Sequence, residues 1–350
     1  MLEPQRVVSD PSLERYVRQM RYAPLGDEGQ RRLMAGRALV CGCGALGSMI
    51  AALLARAGVG KLRIVDRDFL ELNNLQRQML YDEADVAAGL PKAIAAAEHL
   101  RRINSGIEIE PVVADVTAAN VLELCRDIDV VLDGTDNFET RFLVNEAALK
   151  LGLPWVYGGA VGASGQTMTI LPGETPCLRC LVPEAPPPGT LPTCDTAGVL
   201  GPIIGVVASI QAGEAIKILS GNRAAASRSL TVIDLWDNRI RQMGLDRLRE
   251  QGCPTCRGGD YPWLSGKSGS QTAILCGRNA VQIHPPANRI SLDALAEKLE
   301  GIGRVNRNAY LLRVAIDEYL LTIFPDGRAI IGGTDDIATA RTLYAKYVGA

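Results

Sequence analysis

The 350-residue sequence contains very little histidine and no excess of charge of either sign. Its only histidines are His99 and His284, so a catalytic triad or a metal centre built on histidine has little material. Lysine and arginine number 37 against 39 aspartate and glutamate residues, and the signs are interspersed along the chain. Because no basic face is available to meet a phosphate backbone, we expect no direct nucleic-acid partner.

The sequence also lacks a secretory signal and a clear membrane span. Residues 1–10 are charged and have no apolar core of the kind that a signal peptide needs. The charge-free run from Ala38 to Ala55 is interrupted by three glycines and has no flanking aromatic residues, which favours strand, loop and helix. We therefore expect a cytoplasmic protein without membrane contact. Its nine cysteines should then be thiols, metal ligands or participants in a reaction rather than structural disulfides.

Short apolar strands alternate with helical segments over the first half of the chain, which predicts the α/β class. The strand Ala38 to Cys41, the helix Gly47 to Ala57 and the strand Lys61 to Asp66 begin this alternation, and it continues to residue 165. The pattern is typical of a doubly wound, mostly parallel sheet. Beyond residue 165 it changes to antiparallel strands around a long apolar helix from Val199 to Leu219.

The chain is long enough for more than one domain. We predict an N-terminal helical arm over residues 1–35 and a main domain over residues 36–258. A Gly/Ser-rich stretch near residues 258–269 separates them from a small C-terminal α+β domain over residues 270–350.

The motif Gly42-Cys-Gly44-Ala-Leu-Gly47 lies between a strand and a helix and predicts a nucleotide-binding loop. Small residues at such a position let backbone amides approach phosphates at the positive end of the helix. Asp66, at the end of the next strand, is placed to accept a hydrogen bond from a ribose hydroxyl. The motif fits a dinucleotide as well as ATP, and tight packing of the strand against the helix would also explain its glycines.

Further polar residues favour a triphosphate over a nicotinamide cofactor. Arg77 lies in Asn73-Asn-Leu-Gln-Arg-Gln78 and Lys92 begins the next helix, and attack on an α-phosphorus needs several such donors for the developing charge. Asp136, which follows a strand, is a candidate ligand for Mg²⁺ at the carboxyl edge of the sheet. The alternatives are solvated surface cations at Arg77 and Lys92 and a helix N-cap at Asp136.

Two C-x-x-C pairs predict a metal site. Cys177 and Cys180 form one pair, and Cys253 and Cys256 form the other. Each pair on a tight turn can direct both sulfurs to one ion, and four thiolates favour a structural Zn²⁺. A redox dithiol or ordinary buried cysteines are the alternatives. No ligand position is left open, so we assign no catalysis to the metal.

Cys194 is a separate candidate, in this case for a nucleophile. It follows a proline-rich segment from Pro183 to Pro192 and precedes a helix. A helix N-terminus increases the thiolate fraction of a cysteine, and a surface loop gives access to it. The alternative is an idle loop cysteine.

Taken in order, these motifs resemble the ThiF/MoeB/HesA family, bacterial relatives of ubiquitin-activating enzymes. The resemblance runs from about Arg15 to Cys256. Around Thr196 to Pro202 the sequence is more similar to ThiF-type than to MoeB-type members. The motifs that carry it are Arg15-Tyr-Val-Arg-Gln19, the glycine loop, Asn74-Leu-Gln-Arg-Gln78, Pro91-Lys92, Thr135-Asp-Asn137, both C-x-x-C pairs and Cys194.

The resemblance implies a Rossmann-like sheet that binds ATP with Mg²⁺, and a homodimer in which Arg18 reaches the phosphate site of the neighbouring subunit. The implied nucleotide-binding residues are Gly42, Gly44, Gly47, Asp66, Asn74, Arg77, Gln78, Lys92 and Asp136.

The implied reaction is adenylation of the C-terminal Gly-Gly carboxylate of a ubiquitin-like sulfur carrier protein with release of pyrophosphate. A ThiS-like carrier is expected, with a MoaD-like carrier for molybdopterin or tRNA thiolation as the alternative. An NAD-dependent oxidoreductase would explain only the glycine loop. A non-catalytic scaffold would leave Arg77, Lys92 and Asp136 without a purpose.

Overall fold

A computed structural model describes residues 10–187, 190–249, 252–268, 272–275, 279–283 and 290–349. The chain divides into two compact units, Met1–Pro186 with Gly198–Lys267 and Pro187–Ala197 with Ser268–Ala350. The division near residue 267 lies close to the predicted boundary. Residues 187–197, which the sequence interpretation places in the main domain, group with the C-terminal unit. His284 lies outside the described residues.

The described residues form helices and strands with the following bounds. The helices are α1 Val17–Met20, α2 Gly26–Ala35, α3 Ala45–Ala57, α4 Glu83–Ala88, α5 Lys92–Ile103, α6 Val121–Leu124, α7 Phe138–Leu151, α8 Leu178–Leu181, α9 Cys194–Ala197, α10 Gly201–Leu219, α11 Asp246–Arg249, α12 Leu292–Leu299 and α13 Ile337–Tyr347. The strands are β1 Arg37–Cys41, β2 Lys61–Val65, β3 Glu108–Val112, β4 Val130–Asp133, β5 Trp155–Val161, β6 Ser164–Ile170, β7 Ser229–Asp234, β8 Arg239–Gly244, β9 Thr272–Leu275, β10 Ala280–Ile283, β11 Arg304–Arg307, β12 Leu312–Ile316, β13 Tyr319–Ile323 and β14 Ala329–Gly332.

The first unit is built on an eight-stranded sheet in the order β3-β2-β1-β4-β5-β6-β7-β8. Strands β1 to β5 are parallel, and β6 to β8 continue the sheet in antiparallel pairs. In this order the strands run outward from β1 through β2 to β3 on one side, and from β4 to β5 on the other. The place where the direction changes, between β1 and β4, is the topological switch point, and open α/β sheets bind ligands there at their carboxyl edge. The predicted α/β class with a doubly wound, mostly parallel sheet and an antiparallel continuation is confirmed.

Two apolar helices, α3 and α10, cover one face of this sheet. Ile50 and Leu54 of α3 and Ile203 and Val207 of α10 are buried in one cluster with Val40 of β1. By length and composition α10 is the one helix among the described residues that could cross a membrane, but half of its apolar window is buried inside the protein. That burial is typical of the core helix of a folded unit.

The N-terminal segment packs onto the first unit. The Arg15 guanidinium donates to the carbonyl of Ile103 at 2.6 Å, and Gln19 donates to the carbonyl of Ala57 at 3.0 Å. The side chain of Tyr16 is buried against Gly58. These contacts tie the segment to the C-terminal ends of α3 and α5.

The second unit contains a six-stranded antiparallel sheet in the order β11-β12-β13-β14-β10-β9. Buried residues of α12 and α13, among them Leu295, Leu299 and Tyr344, form one apolar cluster with Val314 and Leu321 of the sheet. The small C-terminal α+β fold expected from the sequence is confirmed.

Strands β8 and β11 are absent from the sequence interpretation. Every residue of β8 is exposed, and three of the four residues of β11 are exposed. An edge strand of this kind carries no alternation of buried and exposed side chains, which is the signal that reveals a strand in a sequence.

Candidate active site and metal centre

The glycine loop joins β1 to α3 at the switch point and packs closely against the end of β4. Gly42 has φ +82°, and a Cβ atom there would lie 2.7 Å from the Gly134 carbonyl oxygen. A Cβ atom at Gly47 would lie only 1.8 Å from the carbonyl oxygen of Gly42. Packing alone therefore requires glycine at positions 42 and 47.

Gly44 differs from the other two glycines of the motif. It is the N-cap residue of α3, and among the described residues the only atom within 4 Å of its would-be Cβ is the side-chain nitrogen of Gln78, at 3.8 Å. Within the described part of the chain the Gly44 N–H has no hydrogen-bond partner, and the buried Gln78 Oε1 has none either. An unpaired amide at the positive end of a 13-residue helix fits a phosphate oxygen.

Asp66 follows β2 and contacts the glycine loop directly. Its carboxylate accepts the backbone N–H of Cys43 at 2.6 Å and that of Asp68 at 2.7 Å. Burial raises its pKa, although the nearby Lys92 opposes the change. Two backbone bonds leave lone pairs on this carboxylate, so it retains the capacity to accept a further donor.

Lys92 is almost completely buried, with 3% of its surface exposed, at the start of α5. Its ammonium group lies 3.2 Å from Asp68, and its backbone N–H donates to the Asp68 carbonyl at 2.8 Å. A lysine is rarely buried unless a carboxylate pairs with it. The alternative of a solvated surface cation therefore fails for Lys92.

The segment after Asp66 places its polar side chains at different depths. Asn74 is buried and accepts the Glu71 N–H at 3.1 Å, whereas Arg77 is half-buried and donates to the Asn73 carbonyl at 2.9 Å. Gln78 is buried beside Gly44. Gln78 therefore borders the glycine loop, and its N–H donates at 3.0 Å to the carbonyl of Asn74, the last residue of the short 3₁₀ turn Leu72–Asn74.

Asp136 is exposed in the loop between β4 and α7. The N-cap of α7 is Asn137, whose side chain accepts the Thr140 N–H at 2.8 Å, so capping does not occupy Asp136. Burial opposes ionisation of Arg67, but Asp115, then Asp68 and more weakly Asp136, raise its pKa. Because β2 and β4 both run parallel to β1, Asp68 and Asp136 follow their strands at the same carboxyl edge of the sheet.

A buried ion pair fixes the loop that carries Asp136. The Arg141 Nε lies 3.1 Å from Asp133 Oδ2, and the same guanidinium donates to the carbonyls of Thr135 and Gly158 at 2.8 and 3.1 Å. Asp133 also accepts the hydroxyl of Thr135 at 2.7 Å. Sequence reasoning missed Arg67, Asp68, Asp133 and Arg141. The positions of Arg67 and Asp68 directly after β2 were the one available signal.

The two remaining predicted residues belong to other elements. Arg18 is exposed on the short helix α1 of the first unit. Cys194 is half-buried and begins α9, which belongs to the second unit.

The four predicted metal ligands lie together. Cys177 Sγ is 3.8 Å from both Cys180 Sγ and Cys253 Sγ, and Cys180 Sγ is 3.5 Å from Cys256 Sγ. All four sulfurs lie within 4.8 Å of one another. With Zn–S bonds of about 2.3 Å, tetrahedral geometry places sulfurs about 3.8 Å apart. The cluster therefore has dimensions that fit a single metal ion.

Helix α7 supports this cluster from the side. Its residue Asn145 accepts the Leu178 N–H at 2.9 Å, next to Cys177. Its residue Glu146 accepts the Leu264 N–H at 2.9 Å, in the segment that follows Cys256. Burial raises the pKa of Glu146 to about 7, although hydrogen bonds from Leu264 and Trp263 oppose the change.

A glycine loop at the switch point of a doubly wound sheet, with polar and charged side chains around it, defines the class of α/β nucleotide-binding proteins, and a four-cysteine cluster accompanies it here. Within that class the chain belongs to the ThiF family, whose family model matches residues 16–255. The resemblance noted in the sequence is confirmed.

The relatives described next match this chain over most of its length. The chain is 45% identical to the Bacillus subtilis "Sulfur carrier protein ThiS adenylyltransferase" over 337 residues, which are 96% of this chain and 99% of the relative. It is 41% identical to the Thermus thermophilus "Sulfur carrier protein adenylyltransferase" over 71% of this chain and 92% of the relative. It is 39% identical to the pig "Adenylyltransferase and sulfurtransferase MOCS3" over 83% of this chain and 64% of the relative.

Solved structures agree on the fold. The structure of Escherichia coli MccB with ATP superposes with a TM-score of 0.58 over 66% of this chain and 71% of MccB, at 21% identity. That of PaaA has a TM-score of 0.58 over 69% of this chain and 76% of PaaA, at 23% identity.

Proposed function

We propose that this protein is an adenylyltransferase that uses ATP and Mg²⁺ to activate the C-terminal Gly-Gly carboxylate of a ThiS-like sulfur carrier protein. The observation that carries the proposal is the unpaired Gly44 N–H at the start of α3, bordered by Asp66 and Gln78. The 45% identity to a ThiS adenylyltransferase over almost the whole chain supports the choice of substrate.

The proposed reaction needs little acid–base chemistry. A carboxylate oxygen of the carrier attacks the α-phosphorus, an O–P bond forms, and the bond to the β-phosphate breaks as pyrophosphate leaves. The carboxylate is already ionised at neutral pH, so no general base is required, in agreement with the scarcity of histidine. Alignment and charge stabilisation then supply the rate enhancement.

Each candidate side chain has a proposed task. Asp66 accepts a ribose hydroxyl, Asn74 and Gln78 orient the nucleotide, and Arg77 and Lys92 balance phosphate charge as pyrophosphate leaves. Asp136 holds Mg²⁺, which when bound neutralises phosphate oxygens. Asp133 and Arg141 act as positioning residues, since they hold the backbone N–H and the carbonyl of Thr135, the residue directly before Asp136.

Two further proposals concern the metal and the thiol. Zn²⁺ on Cys177, Cys180, Cys253 and Cys256 is proposed to be structural, because four thiolates complete a tetrahedral shell. Cys194 is proposed to attack the acyl adenylate, so that its thiolate forms a thioester with the carrier and AMP leaves, or to join a persulfide relay, in which it takes the outer sulfur of a persulfide donor that leaves as a thiol.

Arg18 is proposed to act across a homodimer, on the phosphate site of the partner subunit. The test mixes Arg18→Ala protomers with Asp136→Ala protomers, each inactive alone. Random pairing leaves about a quarter of all sites with both residues intact, so about a quarter of the exchange activity should return. No recovery in a mixture that does form heterodimers would contradict action across the interface.

The central test is ATP–pyrophosphate exchange in the presence of purified carriers. Exchange should require a carrier with a free C-terminal Gly-Gly, and Asp136→Ala should abolish it. Asp129→Asn is the matched control, because Asp129 precedes the same strand at its opposite end and asparagine can still accept the Arg37 N–H. Exchange that is indifferent to the carrier or to Asp136 would overturn the proposal.

A MoaD-like carrier is the second candidate, because the 41% identical Thermus thermophilus relative is named for a sulfur carrier protein without the name ThiS. The same assay with ThiS-like and MoaD-like carriers side by side separates the two, since the preferred carrier should give the higher kcat/KM. Binding of a nicotinamide dinucleotide in place of ATP would instead indicate an oxidoreductase. A cytoplasmic location stays a prediction.

A further inference from the structure

The hydroxyl of Tyr81 joins three segments around the candidate nucleotide site. It lies 2.7 Å from the carbonyl oxygen of Cys43 in the glycine loop, 3.1 Å from the sulfur of Cys43, and 3.2 Å from the carbonyl oxygen of Lys92. The side chain is buried, with 7% of its surface exposed. Its own backbone N–H donates to the Gln78 carbonyl, so Tyr81 also belongs to the segment that carries Arg77 and Gln78.

A phenol has one proton to donate, and the shortest contact decides where it goes. The Cys43 carbonyl at 2.7 Å has the usual length of an O–H···O bond, whereas the Lys92 carbonyl at 3.2 Å lies beyond the usual range. Burial, then the neighbouring Cys43, raises the pKa of Tyr81 well above its ordinary value, so the hydroxyl keeps its proton at neutral pH. Tyr81 is therefore a permanent donor to the glycine loop.

The carbonyl of Cys43 shares a peptide group with the N–H of Gly44. In a planar trans peptide these two bonds point in opposite directions. A donor that holds the carbonyl therefore turns the Gly44 N–H the opposite way, and within the described part of the chain this N–H has no hydrogen-bond partner. The preceding peptide is held too, because Asp66 accepts the Cys43 N–H at 2.6 Å.

From this geometry we infer that Tyr81 is a positioning residue for the proposed adenylyltransfer: its hydroxyl fixes the orientation of the Cys43–Gly44 peptide and thereby aims the Gly44 N–H at a phosphate of ATP. The inference rests on the proposed function, since it presumes that ATP binds at this loop. It adds a side chain that the glycine motif itself does not contain.

The test compares the affinities of Tyr81→Phe for MgATP and for adenosine, measured by calorimetry with the full-length protein. Phenylalanine keeps the buried ring and removes only the hydroxyl. Loss of one oriented donor should weaken ATP binding by about 5–20-fold. Adenosine has no phosphate, so its affinity should stay within about twofold. The ratio of the two affinities is taken on one preparation, so any unfolded fraction cancels.

Tyr16→Phe is the matched control. Tyr16 is a buried tyrosine at the other end of α3, where its ring packs against Gly58 and its hydroxyl accepts a hydrogen bond from Asn104 at 2.8 Å. Its removal should lower the unfolding temperature and leave the ratio of ATP to adenosine affinity unchanged.

The outcomes separate the inference from the proposed function. A lower ratio in Tyr81→Phe alone supports the inference. An unchanged ratio, or an equal loss for both ligands, overturns it and leaves the adenylyltransferase proposal standing. Wild-type protein that binds neither ligand contradicts the proposed function itself.

Discussion

The glycine loop and the cysteine cluster are built in opposite ways within one unit. The loop is six consecutive residues, and what matters is the absence of side chains at Gly42, Gly44 and Gly47. The cluster consists of side chains, and its two pairs are 76 residues apart in the chain. The loop therefore offers ligand groups from one short stretch of backbone, which Asp66 and Tyr81 hold in place, whereas the cluster takes every one of its ligand atoms from side chains of distant segments.

The sharpest test of the loop compares two glycines of the same motif. Gly47→Ala places a Cβ atom 1.8 Å from the Gly42 carbonyl oxygen, so it should destabilise the protein by more than about 4 kcal/mol or prevent its folding. Gly44→Ala meets only the flexible end of Gln78, at 3.8 Å, and should fold but bind ATP poorly. Thermal unfolding and ATP titration measure the two effects. If the two variants have the same stability and the same affinity for ATP, then Gly47 is not needed specifically for packing, nor Gly44 specifically for binding.

The cluster should respond to loss of any one sulfur. For the proposed zinc site, Cys180→Ser should lower the zinc content from about one ion per chain to nearly none and destabilise the protein by roughly 2–5 kcal/mol. Cys125→Ser, a buried cysteine outside the cluster, is the control and should keep its metal. Elemental analysis with chemical unfolding gives both numbers. A variant that retains full zinc content would mean that Cys180 is not a ligand.

A smaller effect should follow from pH at Glu146. Its pKa of about 7 in the folded protein lies above the ordinary value of 4.5, so the folded state favours the neutral acid. Neutral Glu146 therefore stabilises the folded state relative to the state with an ionised Glu146. This contribution is complete below about pH 4.5 and is lost as the pH rises through 7. Between pH 5 and pH 8 the free energy of unfolding should fall by about 1–3 kcal/mol more in the wild type than in Glu146→Gln.

The control for this measurement is Glu184→Gln, which changes an exposed carboxylate of the same unit. Its pH dependence should match that of the wild type. If Glu146→Gln also matches the wild type, the buried carboxylate does not titrate in this range.

Much of the fold was predictable because its signals are local. The strand–glycine–helix pattern identified β1 and α3 within two residues of their observed bounds, since both are buried and periodic. Tyr81 and the pair Asp133–Arg141 could not be found in this way. Their roles depend on the approach of elements that are distant in the chain, and a lone tyrosine or arginine carries no pattern of its own. The cysteine spacing was the exception, because metal chemistry requires a motif in the sequence.

Helix α7 connects the loop that carries Asp136 with the segments beside the cysteine cluster. Its N-cap, Asn137, is adjacent to Asp136, and its residues Asn145 and Glu146 hold the segments beside the cysteines. Its fourteen residues form a rod of about 21 Å and include no proline or glycine that would kink it. We therefore expect the backbone amides of α7 to exchange with solvent as one cooperative unit. A change that destabilises the helix beside the cysteines should then also raise the exchange rates at its N-terminal end, next to Asp136.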